Sequence, residues 1–156
     1  MSEAVQLQSA GAEQNRQFLA FRVGSEEYAV DILRVQEIRG WEAGTQLPNA
    51  PPHVKGIINL RGTIIPIIDL RERFGVMDIE YVPTTVVIVL KVVGAEKERI
   101  MGVVVDAVND VHHLLDTQIE PPPELDSMAH TDFISGVASV QDRMVILLDI
   151  DRLLNL

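Results

Sequence analysis

Two aspartates, Asp69 and Asp149, each follow an apolar run and are the residues most suggestive of chemistry. Two lobes that each contribute one aspartate would match the plan of an acid protease dyad, in which two carboxylates share a proton. That dyad sits on tight Asp-[Thr/Ser]-Gly loops, whereas these aspartates precede Leu-Arg and Ile-Asp at the start of short helical segments. An aspartate there caps the helix N-terminus, so both are predicted to be structural, and an aspartate-dyad hydrolase is the less favoured alternative.

Other motifs for catalysis or ligand binding are missing from the sequence. His112 and His113 lie among several aspartates, but neighbouring residues on a strand point to opposite faces and do not chelate one ion together. The sequence has no cysteine, no phosphate-binding GxxxxGK or GxGxxG loop, and no G-x-S-x-G nucleophile turn. No catalytic residue, metal ion or cofactor is therefore expected.

One cation, Arg61, stands beside Gly62 in a turn between two apolar runs. It is either an ordinary solvated turn residue, or a planar donor offered to a carboxylate or backbone carbonyl of a partner protein. The residues alone favour neither interpretation.

The composition narrows the classes of partner. The 156 residues carry a formal net charge of −10, which repels phosphate backbones and anionic lipids and argues against nucleic-acid or membrane-surface binding. The first residues lack the basic start and apolar block of a signal peptide, and the strand-like apolar runs are far shorter than the ~20 residues that span a bilayer. A cytoplasmic protein without direct membrane insertion is expected.

The turn with Arg61 belongs to the segment around which the chain is organised, GIINLRGTIIPIIDLRERFG at 56–75. Two β-branched runs around a short glycine-bearing turn predict a β-hairpin. Its second strand is apolar on both faces and must be covered twice, by the core and by another lobe or protein. Because Pro66 has no backbone N–H, we expect this strand to lie at a sheet edge or to carry a bulge.

This hairpin recurs 80 residues later without a gap, so that Gly56 corresponds to Gly136 and Asp69 to Asp149. Similarity at half the chain length indicates a duplicated unit, and each copy has the content of a small antiparallel barrel, about five short strands and one helical stub. The predicted fold is all-β with short helices. A flexible tail at 1–16 precedes a first barrel at approximately 17–80 and a second at 81–156, packed together because each is marginal alone.

The motifs of both halves resemble one family. They are EEYAVDILRVQEIRG at 26–40, PPHVKGIINLRGTIIPIIDLRERFG at 51–75, GVVVDAVNDV at 102–111 and RMVILLDIDRLL at 143–154. Over about residues 18–155 the chain resembles the CheW family of bacterial chemotaxis coupling proteins, for which GxxNLRGxxxPxxDLR is specific. The resemblance implies two pseudo-symmetric Src-homology-3-like five-stranded barrels and a non-catalytic scaffold. A CheW-like adaptor of a pilus or biofilm pathway is the alternative within the family.

The resemblance also implies partners and a site. The cytoplasmic tip of methyl-accepting chemoreceptors would lie in a hydrophobic groove between the barrels, and the regulatory domain of the histidine kinase CheA would contact a barrel end. Because the receptors are membrane proteins, recruitment to membrane receptor arrays is expected. Further copies of the protein could take part in the rings of such arrays. The residues carried over as partner-facing are Val35, Glu37, Ile38, Asn59, Arg61 and Gly62. Weaker candidates, for which buried core is the favoured interpretation, are Val86, Val104 and Val108.

Overall fold

The computed structural model describes residues 15–41, 54–94, 97–122 and 133–154, and this part of the chain is mostly β-strand, as predicted. Its two α-helices, α1 (Leu70–Arg73) and α2 (Ile150–Leu153), have four residues each. No helix in the described ranges is long and apolar enough to span a membrane. The strands are β1 (Asn15–Val23), β2 (Glu26–Asp31), β3 (Val35–Gly40), β4 (Val54–Leu60), β5 (Thr63–Asp69), β6 (Val86–Val93), β7 (Glu98–Val105), β8 (Ala107–Leu115), β9 (Ile119–Glu120), β10 (Ile134–Val140) and β11 (Arg143–Leu148).

The strands form two sheets, each of which is one Src-homology-3-like barrel. The six-stranded sheet has the order β8-β1-β2-β11-β10-β9, and the five-stranded sheet has the order β3-β6-β7-β5-β4. Each sheet has one parallel contact, β2 with β11 and β5 with β7, among otherwise antiparallel pairs. Without the two-residue β9, the two orders correspond strand for strand, which confirms the predicted pseudo-symmetric pair of barrels.

The two repeats exchange their first hairpins. β1 and β2 join β8, β10 and β11 of the second repeat, while β6 and β7 join β3, β4 and β5 of the first. The sheets therefore divide the chain into residues 35–105 and the segments flanking them, and not near residue 80 as expected. An internal repeat identifies equivalent strands, but it does not say which copy of a strand each one pairs with.

The start of β1 also bears on the expected tail. β1 begins at Asn15, so the last two residues of the tail expected at 1–16 belong to a strand. Residues 1–14 lie outside the described part of the chain.

Three apolar clusters hold the sheets together, one inside each barrel and one between them. Along β5, Ile65 and Ile67 pack inside the five-stranded barrel, while Ile68 packs between the sheets. β11 divides its residues in the same way. Complete burial of one such side chain is worth about 1.5–3 kcal/mol. The strands that are apolar on both faces are thus covered by their own barrel on one side and by the other barrel on the opposite side, as predicted.

Pro66 does not mark an edge strand. β5 lies between β4 and β7, in the interior of its sheet. Its pairing with β7 starts at Ile67 opposite Gly102, whereas Pro66 is paired only with Ile57 of β4. The expectation of an edge strand was wrong, because a proline excludes a second neighbour only at its own position. The register shift in this ladder lies on β4, between Val54 and Gly56, and not at Pro66.

The two copies of the hairpin agree in local geometry. A register shift interrupts the ladder between Val54 and Gly56 and again between Ile134 and Gly136. Both turns place their two central residues at positive φ, which is the type I′ geometry that matches the twist of a hairpin. These turn residues are Arg61, Gly62, Gln141 and Asp142.

Candidate partner-binding site

One end of the five-stranded barrel carries an exposed cation held by an acid. In the β4–β5 turn, Oδ1 of Asn59 accepts a hydrogen bond from the N–H of Gly62 at 2.8 Å. The guanidinium of Arg61 donates to Oε1 of Glu37 on β3 at 2.7 Å, while its side chain stays 74% exposed. Arg39 lies 3.8 Å from the other oxygen of Glu37. Arg61 therefore has an internal partner and still presents free surface to solvent.

A cleft of about 240 Å³ opens beside this ion pair. Leu60, Ile65 and Val89, which belong to the cluster inside the five-stranded barrel, form its apolar side. Arg61 forms part of its polar rim, and the neighbouring Ile64 is exposed on the hairpin. An apolar floor with a charged rim suits a protein contact, because apolar contacts supply affinity and the rim sets partner choice.

The other face of β3 meets the space between the barrels. Ile38 is paired with Ile88 of β6, and directly paired residues share one face of a sheet. Ile88 is buried in the cluster between the sheets, whereas Ile38 is 43% exposed. Val35, Val86 and Val108 are half-buried and pack against the same cluster. These four apolar residues border the contact between the two barrels.

Val104 does not belong to that border. Its side chain is fully buried inside the five-stranded barrel with Leu60 and Val87. Alternation along β7 sends its neighbours Val103 and Val105 to the cluster between the sheets instead. The interpretation as buried core is correct for Val104, which has no surface to offer a partner.

The remaining candidates fall on two surfaces. The first, called the barrel end below, consists of Glu37, Asn59, Arg61 and Gly62. The second, called the seam margin, consists of Val35, Ile38, Val86 and Val108. Because Glu37 and Ile38 are adjacent on one strand, their side chains point to opposite faces, and β3 contributes to both surfaces.

Asp69 belongs to a buried network. Its carboxylate accepts hydrogen bonds from the backbone and side chain of Arg71 and from the hydroxyl of Tyr81, each at 3.0 Å. Arg71 also donates to Oδ1 of Asp106 at 3.0 Å, and Asp69 and Arg71 are wholly buried. Burial lowers the pKa of Arg71, but its hydrogen bonds to the two aspartates outweigh burial and raise that pKa. Burial, helped by the charge of Asp69, raises the pKa of Tyr81 to about 12.

Asp149 occupies the equivalent position before α2, where its Oδ1 accepts a hydrogen bond from the N–H of Arg152 at 3.3 Å. Helix capping is thereby confirmed for both aspartates. Each cap follows a strand of a different barrel, and the oxygens of Asp69 are occupied by Arg71 and Tyr81. The two carboxylates lack the arrangement of a shared-proton dyad, so the hydrolase alternative is not supported.

The two histidines point to opposite faces of β8, as the alternation predicts. His113 is exposed, whereas His112 is buried with its Nε2 3.1 Å from Oε2 of Glu27. Arg143 lies 3.5 Å from the other oxygen of Glu27. In the part of the chain that the structure covers, no three His, Asp or Glu side chains form a group suited to a metal ion. His112 is a hydrogen-bond partner for a buried carboxylate of the six-stranded barrel.

Sequence reasoning missed several features of the surface. Ile64 and Met144 are each more than half exposed and occupy the same position in the two hairpins, the second residue after the turn. The repeat was the signal that could have paired them. The ion pair between Arg34 and Asp151 was also missed, because no local pattern connects residues so far apart in sequence.

Comparison with known proteins agrees with this geometry. The family model described as CheW-like domain matches residues 17–156. The chain is 45% identical to chemotaxis protein CheW of Klebsiella aerogenes, over 94% of this chain and 86% of that protein. It is 41% identical to chemotaxis protein CheW of Rhizobium meliloti, over 87% and 85%. The crystal structure of the scaffolding protein TtCheW from Thermoanaerobacter tengcongensis matches with a TM-score of 0.77 at 33% identity, covering 86% of this chain and 89% of that one. The chain belongs to the CheW-like domain family.

Proposed function

We propose that this protein couples methyl-accepting chemoreceptors to the histidine kinase CheA in the cytoplasm and catalyses no reaction of its own. Its relatives and its fold support a coupling and scaffolding function in chemotaxis. The observation that carries the finer proposal is the separation of the two surfaces, since β3 sends Glu37 to the barrel end and Ile38 to the seam margin. A scaffold needs separate contacts so that two partners can be held at once.

The seam margin is the proposed contact for the receptor tip. Val35, Ile38, Val86 and Val108 are all apolar and border one cluster. A helical hairpin docks through apolar side chains at helical spacing laid into a groove. Ile38 is the most exposed of the four and is the proposed central anchor.

The barrel end is the proposed contact for the regulatory domain of CheA. Arg61 is held towards solvent by Glu37 and offers its remaining donors to a carboxylate or carbonyl of the kinase. Ile64 supplies exposed apolar area next to it. Charges at such a rim set partner choice and association rate more than affinity. In a receptor array, where further copies of this protein could take part, weak contacts of this kind are strengthened by multivalency.

Replacing Arg61 tests the barrel end. Arg61→Ala should weaken binding of the CheA regulatory domain about tenfold, which corresponds to ~1.4 kcal/mol, and should leave binding of a receptor-tip fragment unchanged. Gln141→Ala is the matched control, because Gln141 has the same turn position and nearly the same φ, 51° against 50°. Titration calorimetry with each partner separately measures both effects.

Replacing Ile38 tests the seam margin. Ile38→Ala should weaken binding of the receptor-tip fragment about tenfold and leave the CheA domain unaffected. Leu115→Ala on the six-stranded sheet is the control, because its side chain has similar exposure. If Arg61→Ala and Ile38→Ala both leave both partners bound with unchanged affinity, the proposed surfaces are wrong. Turnover of a substrate that Asp69→Asn abolishes would contradict the absence of catalysis.

A further inference from the structure

Asp106 connects the two barrels at one end of the seam, the contact between the two sheets. It lies between β7 of the five-stranded sheet and β8 of the six-stranded sheet. Its Oδ1 accepts a hydrogen bond from Arg71 of α1 at 3.0 Å, and its Oδ2 accepts one from the N–H of Gly24, in the β1–β2 turn, at 2.7 Å. Arg71 is wholly buried. This contact is called the buried bridge.

Asp151 connects the barrels a second time, from α2 at the end of the six-stranded sheet. It accepts two hydrogen bonds from the guanidinium of Arg34, both at 2.8 Å, and one from the N–H of Val93 on β6 at 2.8 Å. Arg34 precedes β3 and also donates to the carbonyl of Lys91 on β6 at 3.1 Å. The side chains of Arg34 and Asp151 are 29% and 30% exposed. This contact is called the exposed bridge.

The two bridges are equivalent in the repeat, with their charges reversed. Arg71 and Asp151 are both the second residue of their helix, and Asp106 and Arg34 both stand just before the strand that enters the other sheet. In one bridge the helix supplies the cation, and in the other it supplies the anion. The chain thus ties the two barrels together at both crossings between the sheets.

The bridges lie at opposite ends of β6. Val86, at one end, is paired with Val105, which directly precedes Asp106. Val93, at the other end, donates its N–H to Asp151. Seven residues of extended strand correspond to about 23 Å. Of the seam-margin residues, Val35 is the one adjacent to the exposed bridge.

The bridges differ in how readily they separate. Breaking the buried bridge would take from Arg71, whose side chain is 1% exposed, one of its two carboxylate partners, while Asp106 is 21% exposed. Salt screens this contact less than one that water reaches on both sides. The exposed bridge can exchange its contacts for water and is weakened by salt. The hydrogen bonds from Arg34 lower the pKa of Asp151, so this bridge stays charged further below neutral pH than an isolated aspartate would.

We infer that the two barrels pivot about the buried bridge and that Arg34 and Asp151 are positioning residues, which set the width of the seam beside Val35. The part that concerns partner binding rests on the proposed function of the seam margin. Holding the seam at one width prepares it for a helical ligand, because less conformational freedom is lost on binding.

Distances between spin labels test the pivot directly. Because the sequence has no cysteine, only the two introduced cysteines of each variant are labelled. Gln17→Cys with Lys97→Cys reports the width near the exposed bridge, and Glu26→Cys with Thr84→Cys reports the end with the buried bridge. All four positions are exposed. Pulsed electron paramagnetic resonance gives the distance distribution of each pair.

Asp151→Ala should broaden the distribution for the 17/97 pair and leave the 26/84 pair unchanged. Arg34→Ala should do the same, and 1 M salt should broaden the 17/97 pair of the otherwise unchanged protein. Glu72→Ala is the matched control, because Glu72 pairs with Lys55 at similar exposure but within the five-stranded barrel. An unchanged 17/97 distribution in both bridge variants, or equal broadening of both label pairs, would overturn the pivot.

Binding of a receptor-tip fragment tests the positioning role. Asp151→Ala should lower its affinity about three- to tenfold, with Glu72→Ala unchanged. If Ile38→Ala weakens the fragment but Asp151→Ala does not, the positioning role is wrong while the proposed seam-margin contact stands. If Ile38→Ala has no effect, the proposed contact itself is wrong, and the label distances still decide the pivot.

Discussion

The hairpin β4–β5 with α1 and the hairpin β10–β11 with α2 share a backbone plan and differ in chemistry. Both contain a register shift near a glycine, a turn with two positive φ angles, and an aspartate that caps the following helix. Yet the turn carries Arg61 in one and Gln141 in the other. Glycine placement, apolar alternation and capping therefore specify the plan, and the residues that differ determine which copy presents a charged surface.

The second residues after the two capping aspartates, Arg71 and Asp151, also share a position and differ in chemistry. Arg71 is wholly buried and holds Asp69, Asp106 and Tyr81 together. Its equivalent Asp151 forms an ion pair with Arg34 in which both side chains are about a third exposed. A buried network stabilises one arrangement strongly, because a broken pair cannot be solvated, whereas a surface pair contributes little. The five-stranded barrel, which carries Arg61 and the other barrel-end residues, therefore contains the network that is more destabilising to break.

Replacing Arg71 should give the largest effect. Arg71→Ala should lower the free energy of unfolding by about 3–5 kcal/mol, because Asp69 stays buried without its cation. Asp151→Ala at the equivalent position should lower it by less, about 1 kcal/mol, because water can reach Arg34 and the N–H of Val93 once the carboxylate is gone. Urea unfolding followed by circular dichroism measures both. Similar losses in the two variants would show that burial does not distinguish the two networks.

A glycine and an alanine at equivalent positions give the next comparison. Ile67 is paired with Gly102 in one parallel contact, and its equivalent Leu147 is paired with Ala29 in the other. A methyl group at Gly102 would lie 2.6 Å from Cδ1 of Ile67 and 2.9 Å from Cγ1 of Val87. Gly102→Ala should therefore destabilise by about 1–3 kcal/mol through overpacking.

The reciprocal variant sharpens this comparison. Ala29→Gly should destabilise by about 1 kcal/mol, through the added freedom of the unfolded chain. Both losses are measured as shifts of the urea midpoint. If Gly102→Ala is neutral or stabilising, the five-stranded barrel has room for the methyl group and the two parallel contacts are packed alike.

Local features of the fold could be predicted from the sequence, and the partners of the strands could not. The 80-residue offset predicts the hairpins and both aspartate caps, because turn and cap chemistry is local. Pro66 misled about its strand, and the boundary near residue 80 missed the exchange of hairpins, because periodicity says which face a residue occupies but not which strand lies beside it. Val104 failed as a candidate for the same reason. The contact between Arg61 and Glu37 joins residues 24 positions apart. It could not be predicted from the sequence, because the two residues meet only when the barrel closes.

Tyr81, which donates a hydrogen bond to Asp69, should lose its proton at a higher pH than an ordinary tyrosine. Since its pKa is raised from 10.0 to about 12, the folded state binds this proton more tightly than the unfolded state. The stability contributed by the protonated phenol is present below pH 10 and is lost as the pH rises through about 12. Tyrosinate absorbance should show this late step, and Tyr81→Phe should remove it. Burial and the charge of Glu26 also raise the pKa of Tyr28 above 10.0, so Tyr28→Phe should remove a different late step and leave the one near pH 12 in place.

The two turns provide the smallest effect. Asp142 has φ 66° where the equivalent Gly62 has φ 89°, and a side chain at such angles carries a cost that glycine avoids. Asp142→Gly should therefore raise the free energy of unfolding by about 0.5 kcal/mol, since the relief of strain exceeds the added freedom of the unfolded chain. Gly62→Asp should lower it by a comparable amount, and thermal unfolding of the two variants measures both changes. If both substitutions destabilise, each turn is adjusted to its own residue and the backbone plan is less interchangeable between the repeats than their shared angles indicate.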